Sequence, residues 1–266
     1  MTSRRVSPRP AFLVVPGMIA LAFLVLPLIA LLWQAPWGDM ASIIRSPLAL
    51  EALRLSLVTS VTATAFATVV GVPLAWLLAR DVLPATRLVR AVVIVPLLLP
   101  PVVSGVMLLS AFGRRGFAGQ YLYSAFGIQL PFTTAGVVLA EAFVAMPFLI
   151  ITLEGAFRSL DRRYEDAAIT LGASSWTVFR RVTVPLIAPS LLAGAVLCWA
   201  RALGEFGATI TFAGNLPGVT QTMPLAVYSA LESDRSAAIA LSVLLLGVCV
   251  AVLVALRGYY LKGASA

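Results

Sequence analysis

The feature that most constrains this chain is a series of six long apolar stretches. Each approaches the roughly 20 residues that a helix needs to cross the hydrocarbon of a bilayer. The alternating pattern of barrel strands is absent, so the sequence predicts an all-α integral membrane protein. The predicted spans are Ala11–Trp33, Leu55–Ala79, Ala91–Phe112, Thr133–Leu153, Leu186–Leu203 and Ala237–Leu256.

The composition excludes a water-soluble domain. Hydrophobic residues make up 61% of the 266 residues and charged residues 11%, whereas a soluble domain is about half apolar and a quarter charged. Histidine is absent, and both cysteines, Cys198 and Cys249, lie in apolar runs. This excludes a disulfide framework, a Cys/His zinc site and histidine-based catalysis, so no metal ligand and no catalytic residue is predicted.

The basic residues predict the orientation of the chain, because Lys and Arg accumulate on the cytoplasmic side. With the N-terminus inside, 13 of the 19 basic residues lie in cytoplasmic segments. We therefore expect a multi-pass protein of the cell (inner) membrane with both termini cytoplasmic, in contact with lipid. The net charge of +8 is then a topology signal and not evidence for nucleic-acid binding. The cytoplasmic set is Arg4, Arg5, Arg9, Arg80, Arg87, Arg90, Arg158, Arg162, Arg163, Arg180, Arg181, Arg257 and Lys262.

Three segments add detail to this prediction: the first span, the third span and the stretch before the last span. The first span follows a basic segment but is too long for the apolar core of a signal peptide, so we expect an uncleaved helix. Pro96, Pro100 and Pro101 are expected to kink or loosen the third span. The segment from Ala208 to Arg235 is apolar in patches but interrupted, which favours a re-entrant or lip-forming stretch.

The longest cytoplasmic segment, residues 154–185, has the composition of a folded unit. We expect two short helices that form a compact knob below the membrane. The alternative is a solvated amphipathic loop held to lipid headgroups by its arginines. The expected parts are a helix over Tyr164–Leu171 with Asp161 as N-cap, a break at Gly172, and a second helix from Ser174 or Ser175 to Arg181, ended by Pro185.

The spacing in this segment resembles the EAA loop of ABC-type importer permeases. Asp166-Ala167-Ala168 is followed by Gly172 after three residues and by Val182-Thr-Val184-Pro185 after nine more. The glutamate of that family is aspartate here, with Glu165 just before it, so which carboxylate meets a partner stays open. The resemblance implies a coupling loop that sits in a cleft of an ATP-binding subunit. The implied coupling residues are Glu165, Asp166, Ala167, Ala168, Gly172, Val182, Val184 and Pro185.

A second region resembles the oxyanion branch of the same permeases. It reads RALGEFGAT from Arg201 and GNLPGVTQTMPLAVY from Gly214, and the latter is more similar to molybdate permeases than to sulfate permeases. Arg201 and Glu205 are four residues apart, which predicts one helix face. They either form an ion pair that orders the helix end, or lower the barrier for an anion through Arg201, or only pack. The candidate pathway or gate residues are Arg201, Gly204, Glu205 and Gly207.

The resemblance covers about Leu53 to Leu256 and implies a type I ABC importer transmembrane domain. It implies a homodimer, two cytoplasmic ATP-binding subunits and an extracytoplasmic oxyanion-binding protein that delivers molybdate. The expected divisions are 1–52 (tail, first helix and outer loop), 53–256 (transmembrane domain, with the EAA-like loop at 154–185) and 257–266 (short cytoplasmic tail). The sequence contains no phosphate-binding loop, and its one lysine is Lys262. We therefore expect no enzyme activity and no cofactor on this chain, with ATP and Mg bound by the partner.

Two other functions remain open. A sulfate/thiosulfate or tungstate permease would share the architecture and differ only in the ion. A stand-alone secondary transporter or channel would need ionisable groups near the middle of the membrane. Glu141 and Arg201 are the candidates for such groups, and the folded loop would then have no explanation.

Overall fold

A computed structural model describes the backbone of residues 11–263 and the side chains of residues 12–255. Predictions that concern the two tails, including Arg4, Arg5, Arg9, Arg257 and Lys262, lie outside the described side chains. Within the described range the chain forms thirteen α-helices and one π-helical segment, and no strand. The elements are α1 (Ala11–Trp33), α2 (Met40–Ile44), α3 (Pro47–Ala79), α4 (Thr86–Leu98), α5 (Pro101–Phe112), α6 (Gly119–Phe126), α7 (Thr134–Ser159), α8 (Arg163–Thr170), α9 (Ser175–Val178), the π segment (Phe179–Thr183), α10 (Val184–Leu203), α11 (Gly207–Phe212), α12 (Met223–Ser233) and α13 (Arg235–Gly263).

Five of the described helical stretches are long and apolar enough to cross a membrane, and a bent pair of helices would make a sixth span. The five are α1, α3, α7, α13 and the continuous stretch Ser175–Leu203. This confirms the all-α membrane class. α1 begins and ends at the predicted residues, whereas α3 begins eight residues before its predicted span.

The third predicted span is divided into two helices. α4 and α5 meet at Leu99 and Pro100 with a bend of 120°. Leu99 is extended at φ −82° and ψ 142° because a proline follows it, and two adjacent prolines supply no backbone N–H to continue the helix. The expected loosening by these prolines is therefore a complete break and not a kink.

Pro185 does not end the second helix of the loop, and this prediction was wrong. The π segment continues directly into α10, which holds Pro185 in its first turn. The N–H of Val184 donates to the carbonyl of Phe179, five residues back, so the helix is wider just before the proline. At the first turn of α10, a missing N–H and a fixed φ do little harm.

The core of the bundle is built around α7. Of the 18 most apolar consecutive residues of α7, 61% are buried, whereas none of the corresponding residues of α1 are. α7 packs mainly against α3 and α10. The contact is lined by small residues such as Ala63, Ala67, Ala142 and Ala145, which let helix backbones approach closely.

The two ends of the bundle have different structures. The ends of α3 and α7 and the start of α10 meet residues 160–183, and we call this the loop end. At the opposite, far end, the segment after α10 folds back into the bundle. The N–H of Met223, which begins α12, donates to Ser56 Oγ in the third turn of α3 at 2.7 Å, and both residues are buried. α12 then returns alongside the first turns of α3.

The close contact between α5 and α11 generates a stability prediction. A Cβ at Gly105 would lie 2.6 Å from Thr211 Cβ and 2.9 Å from the carbonyl oxygen of Ala208. Gly105→Ala would force the two helices apart, and we expect a loss of about 1–3 kcal/mol. Thermal unfolding of the purified protein in detergent measures this loss.

Gly247 is the matched control, because a Cβ there meets nothing within 4 Å. Gly247→Ala is expected to leave the midpoint unchanged or to raise it slightly, since alanine favours helix more than glycine does. Equal midpoints for the two variants would contradict the close contact.

Candidate functional site

The loop end carries a compact unit of two short helices, residues 161–178, which we call the loop knob. α8 and α9 are separated by Gly172, whose φ of +85° lies in the left-handed region that glycine adopts without strain. The N–H of Ala173 donates to the carbonyl of Ala168 at 3.0 Å and closes the end of α8. Ser174 Oγ accepts the N–H of Thr177 at 3.3 Å and caps α9.

The start of α8 differs by one residue from the predicted Tyr164. The helix begins at Arg163 and its N-cap residue is Arg162, so the predicted N-cap at Asp161 was one residue too early. Asp161 Oδ1 still accepts the Arg163 N–H at 3.0 Å. Glu165 and Asp166 lie in the first turn of α8, where negative charge stabilises a helix. α8 contains no buried residue, so packing contributes little to holding it in place.

Large apolar side chains of the loop knob face outward. Tyr164, Ile169, Leu171 and Trp176 are 60%, 56%, 88% and 68% exposed. Tyr164, Ile169 and Leu171 lie outside the candidate membrane spans, and Trp176 is the second residue of the stretch Ser175–Leu203. Exposed apolar surface of this kind is typical of interaction sites. The loop knob therefore presents an exposed apolar surface that is a candidate interaction site.

The predicted coupling residues fall into two groups in the structure. Asp166, Ala167, Gly172 and Pro185 are exposed, and Ala168, Val182 and Val184 are half-buried. The Glu165 side chain is 15% exposed and turned toward the bundle, where it contacts Arg80 and Thr183. Asp166 is thus the exposed carboxylate of the pair that sequence reasoning left open. Their roles in coupling stay predictions.

A cluster of charges beside the loop knob was not found by sequence reasoning. Glu154, in the last turns of α7, accepts from Arg90 of α4 at 2.8 Å and contacts Arg158 at 3.1 Å. Asp81 lies 3.7 Å from Arg90 and 3.9 Å from Arg158. The cluster joins α4 to α7. The available signal was Glu154 near the end of the fourth predicted span, together with Asp81 after the second span, both close in sequence to arginines.

The second candidate site lies where α10 ends. Arg201 is in the last turn of α10, but Glu205 follows the helix end at Leu203, so the two are not on one continuous helix as predicted. Gly204 is the C-cap residue of α10, with φ −89° and ψ 9°. Arg201 Nη2 still reaches Glu205 Oε2 at 2.5 Å, so the expected ion pair is formed.

Glu205 also orders the next helix. Its side chain is 1% exposed, and its Oε1 accepts the N–H of Ala208 at 2.8 Å, so a carboxylate caps the first turn of α11. A Cβ at Gly207 would lie 2.8 Å from Pro101 Cβ, which explains a small residue at this position. Gly204 is exposed. The pathway role of these residues stays a prediction.

Several polar side chains are buried inside the bundle, and sequence reasoning missed most of them. Thr59 Oγ1 of α3 donates to Glu141 Oε1 of α7 at 2.9 Å, which identifies the partner that the sequence did not reveal for Glu141. Ser104 and Thr209 are also fully buried. The signal was the run of serines and threonines in α3, unusual for an apolar span.

The family of the chain follows from the match of its sequence to known proteins. Residues 67–261 match the family model described as "Binding-protein-dependent transport system inner membrane component". The chain belongs to this family. It is therefore a multi-pass membrane component of a transport system, and the resemblance seen in the sequence is confirmed.

Relatives with printed functions cover most of the chain. The molybdenum transport system permease protein ModB of Mycobacterium tuberculosis (strain ATCC 25618 / H37Rv) is 46% identical over 93% of this chain and 92% of its own length. ModB of Escherichia coli (strain K12) is 45% identical over 69% of this chain and 80% of its own length. The sulfate transport system permease protein CysT of Escherichia coli (strain K12) is 37% identical over 84% and 82%.

Two solved structures share the fold. A bacterial ABC transporter involved in the import of the acidic polysaccharide alginate has a chain that matches with a TM-score of 0.73 at 17% identity, over 96% of this chain and 94% of that chain. The alginate transporter in complex with its pentasaccharide-bound periplasmic protein matches with a TM-score of 0.72 at 16% identity, over 92% and 91%. At this identity the likeness establishes the architecture of an ABC importer transmembrane domain.

The buried carboxylate of Glu205 generates a prediction for a double-mutant cycle. Arg201→Met leaves that carboxylate buried without its ion pair, which should lower stability by about 1–3 kcal/mol or more. Adding Glu205→Gln removes the charge and keeps an oxygen for the Ala208 N–H. The double variant is therefore expected to unfold at a higher temperature than Arg201→Met alone. Equal midpoints for both would mean that the pair contributes packing only.

Proposed function

We propose that the chain is the membrane-spanning permease subunit of a binding-protein-dependent ABC importer that translocates molybdate into the cell. The observation that carries the proposal is the 46% identity to a molybdenum permease over nearly the whole of both chains. The sulfate permease is less similar and covers less of the chain. Sulfate, thiosulfate and tungstate remain the alternative ions on the same architecture.

The loop end is the cytoplasmic end in this proposal, and both termini lie on that side. Eight arginines of the described residues surround the loop end, and such an excess is typical of cytoplasmic segments. They are Arg80, Arg87, Arg90, Arg158, Arg162, Arg163, Arg180 and Arg181. The far end, with α2, α6 and the segment that folds back, would then face an extracytoplasmic binding protein that delivers the ion.

The loop knob is the proposed docking point for a cytoplasmic ATP-binding subunit. Its exposed apolar side chains offer an apolar contact, and the exposed Asp166 places a negative charge beside them. The exposed corner at Gly172 and the small Ala167 leave room for close approach of another surface. Binding and hydrolysis of ATP, with Mg, take place on that partner and not on this chain.

Two copies of the chain form the proposed translocation unit, with the path between them and one ATP-binding subunit on each loop knob. Closure of the two ATP-binding subunits on ATP would bring the two knobs together. Each knob continues without a break through the π segment into α10, so a displacement at the knob acts directly on a membrane helix. This would switch the path from inward-facing to outward-facing.

A stand-alone transporter or channel is the weaker alternative. Glu141 is buried and bonded to Thr59 within one bundle, and Arg201 is paired with Glu205. Neither group is free to exchange an ion without breaking these contacts. A stand-alone protein would also leave the exposed apolar surface of the loop knob uncovered.

Uptake of radiolabelled molybdate tests the substrate. Cells that carry the gene are expected to accumulate molybdate, deletion should abolish this uptake, and excess sulfate should not compete. If molybdate uptake survives deletion while sulfate uptake is lost, the ion is sulfate and the architecture stands. If neither changes, the ion is neither molybdate nor sulfate, and copurification of an ATPase then decides whether the chain belongs to an ABC importer at all.

Charge reversal at Asp166 tests the docking surface. Asp166→Arg is expected to weaken retention of the ATP-binding subunit during purification at least tenfold, which corresponds to about 1.4 kcal/mol. Asp39→Arg is the matched control, because Asp39 is an exposed carboxylate at the far end whose side chain caps nothing. Equal retention in both variants would show that Asp166 makes no contact with the partner.

A further inference from the structure

Glu165 and Asp166 are neighbours in the first turn of α8, yet their side chains have opposite surroundings. Asp166 is exposed, whereas the Glu165 side chain is 15% exposed. Its Oε1 accepts the hydroxyl of Thr183 at 2.6 Å, and its Oε2 forms an ion pair with Nη2 of Arg80. One carboxylate therefore uses both oxygens on groups of the membrane bundle.

The two partners of Glu165 belong to different membrane-spanning segments. Arg80 directly follows α3, and its side chain is only 9% exposed. Thr183 is the last residue of the π segment and is 1% exposed. Glu165 thus bridges the end of α3 and the entry to α10.

No other side chain of α8 makes such a connection within the described residues. Thr170 bonds to Asp166 of the same helix, and α8 has no buried residue. The neighbouring charge cluster around Glu154 joins α4 to α7 and includes no residue of α8. Glu165 therefore makes the one side-chain hydrogen-bonding and ion-pair bridge from α8 to α3 and the π segment among the described residues.

The π segment makes this connection mechanically relevant. π segments are short, wide turns inside α-helices that are frequent at functional sites. The segment carries the Glu165 contact at Thr183, and Phe179 at its start stacks on Trp176 of α9 at 6.0 Å between ring centroids. The loop knob therefore contacts the π segment at both of its ends, through Trp176 on Phe179 and Glu165 on Thr183.

We propose that Glu165 is a positioning residue that transmits displacement of the loop knob to α3 and α10, while Asp166 holds the partner subunit. The proposal rests on the proposed function for its transport readout. It assigns separate roles to adjacent carboxylates. Loss of Glu165 should leave the ATP-binding subunit attached but disconnect its motion from the membrane helices.

The first test needs no partner subunit. Hydrogen–deuterium exchange of residues 163–170 is measured on the purified chain in detergent. We expect Glu165→Ala to speed exchange in α8 at least tenfold, and Glu165→Gln to have a smaller effect because its amide oxygen still accepts from Thr183. Thermal unfolding identifies any variant that fails to fold. Unchanged exchange in a folded Glu165→Ala variant would overturn the proposal.

The second test measures transmission in the reconstituted complex with its ATP-binding subunit and binding protein. We expect Glu165→Ala to retain the ATP-binding subunit and to lower the ions transported per ATP hydrolysed at least fivefold. Loss of that subunit, or an unchanged ratio, would overturn the proposed role. Asp166→Ala is the matched control and should lower subunit retention instead.

A charge exchange separates the role of the ion pair from a general loss of structure. Arg80→Glu alone should lower the number of ions transported per ATP hydrolysed. The double variant Arg80→Glu with Glu165→Arg should recover part of that number. No recovery would argue against an ion pair as the transmitting contact. If the wild-type complex shows no ATP-driven uptake of any oxyanion, the proposed function fails. The hydrogen–deuterium exchange of residues 163–170 still decides whether Glu165 holds α8 in place.

Discussion

The absence of hydrogen-bonding solvent in the hydrocarbon of a bilayer governs this structure. Every backbone N–H and C=O inside the membrane needs a partner within the protein, so the chain is helical and each helix break has to be repaired locally. At the break between α4 and α5, the N–H of Val103 donates to the carbonyl of Pro100 at 2.9 Å. At the break after α10, the carboxylate of Glu205 accepts the N–H of Ala208. The two repaired breaks are adjacent, because α5 packs directly against α11.

Three partly or fully buried carboxylates among the described residues are paired for a related reason, the cost of leaving a desolvated charge without a partner. Glu205 meets Arg201 and a backbone N–H, Glu154 meets Arg90 and Arg158, and Glu165 meets Arg80 and Thr183. An isolated charge would be costly in these surroundings, and each carboxylate has at least one guanidinium or hydroxyl within reach. Two of the three groups lie at the loop end. There they join α3, α4, α7 and the π segment to one another, so that the loop knob rests on a connected support.

Much of the fold was predictable, for identifiable reasons. Spans of about 20 apolar residues are a local property, and they predicted the all-α membrane class and the positions of five spans. The corner at Gly172 and the cap at Ser174 follow from residue types that favour these conformations. The prediction at Pro185 was wrong because proline commonly ends a helix, whereas here the helix continues through it. The π segment before it places it in the first turn of a continuing helix, a context that residue type alone does not reveal. The division of the third span at Leu99 was stronger than the expected kink, because the effects of consecutive prolines combine.

The sequence by itself determined that the chain spans a membrane, that it carries a folded loop between the fourth and fifth spans, and that this loop resembles the coupling loop of importer permeases. These conclusions depend on hydropathy, spacing and residue type, which are readable one segment at a time. Only the tertiary structure decided that Glu165 faces the bundle and Asp166 faces outward, and that Glu141 pairs with Thr59. Thr59 and Glu141 are 82 residues apart in the sequence, and Arg80 and Glu165 are 85 residues apart. Such pairings arise from how helices pack, and no local pattern encodes which side of a short helix will meet its neighbour.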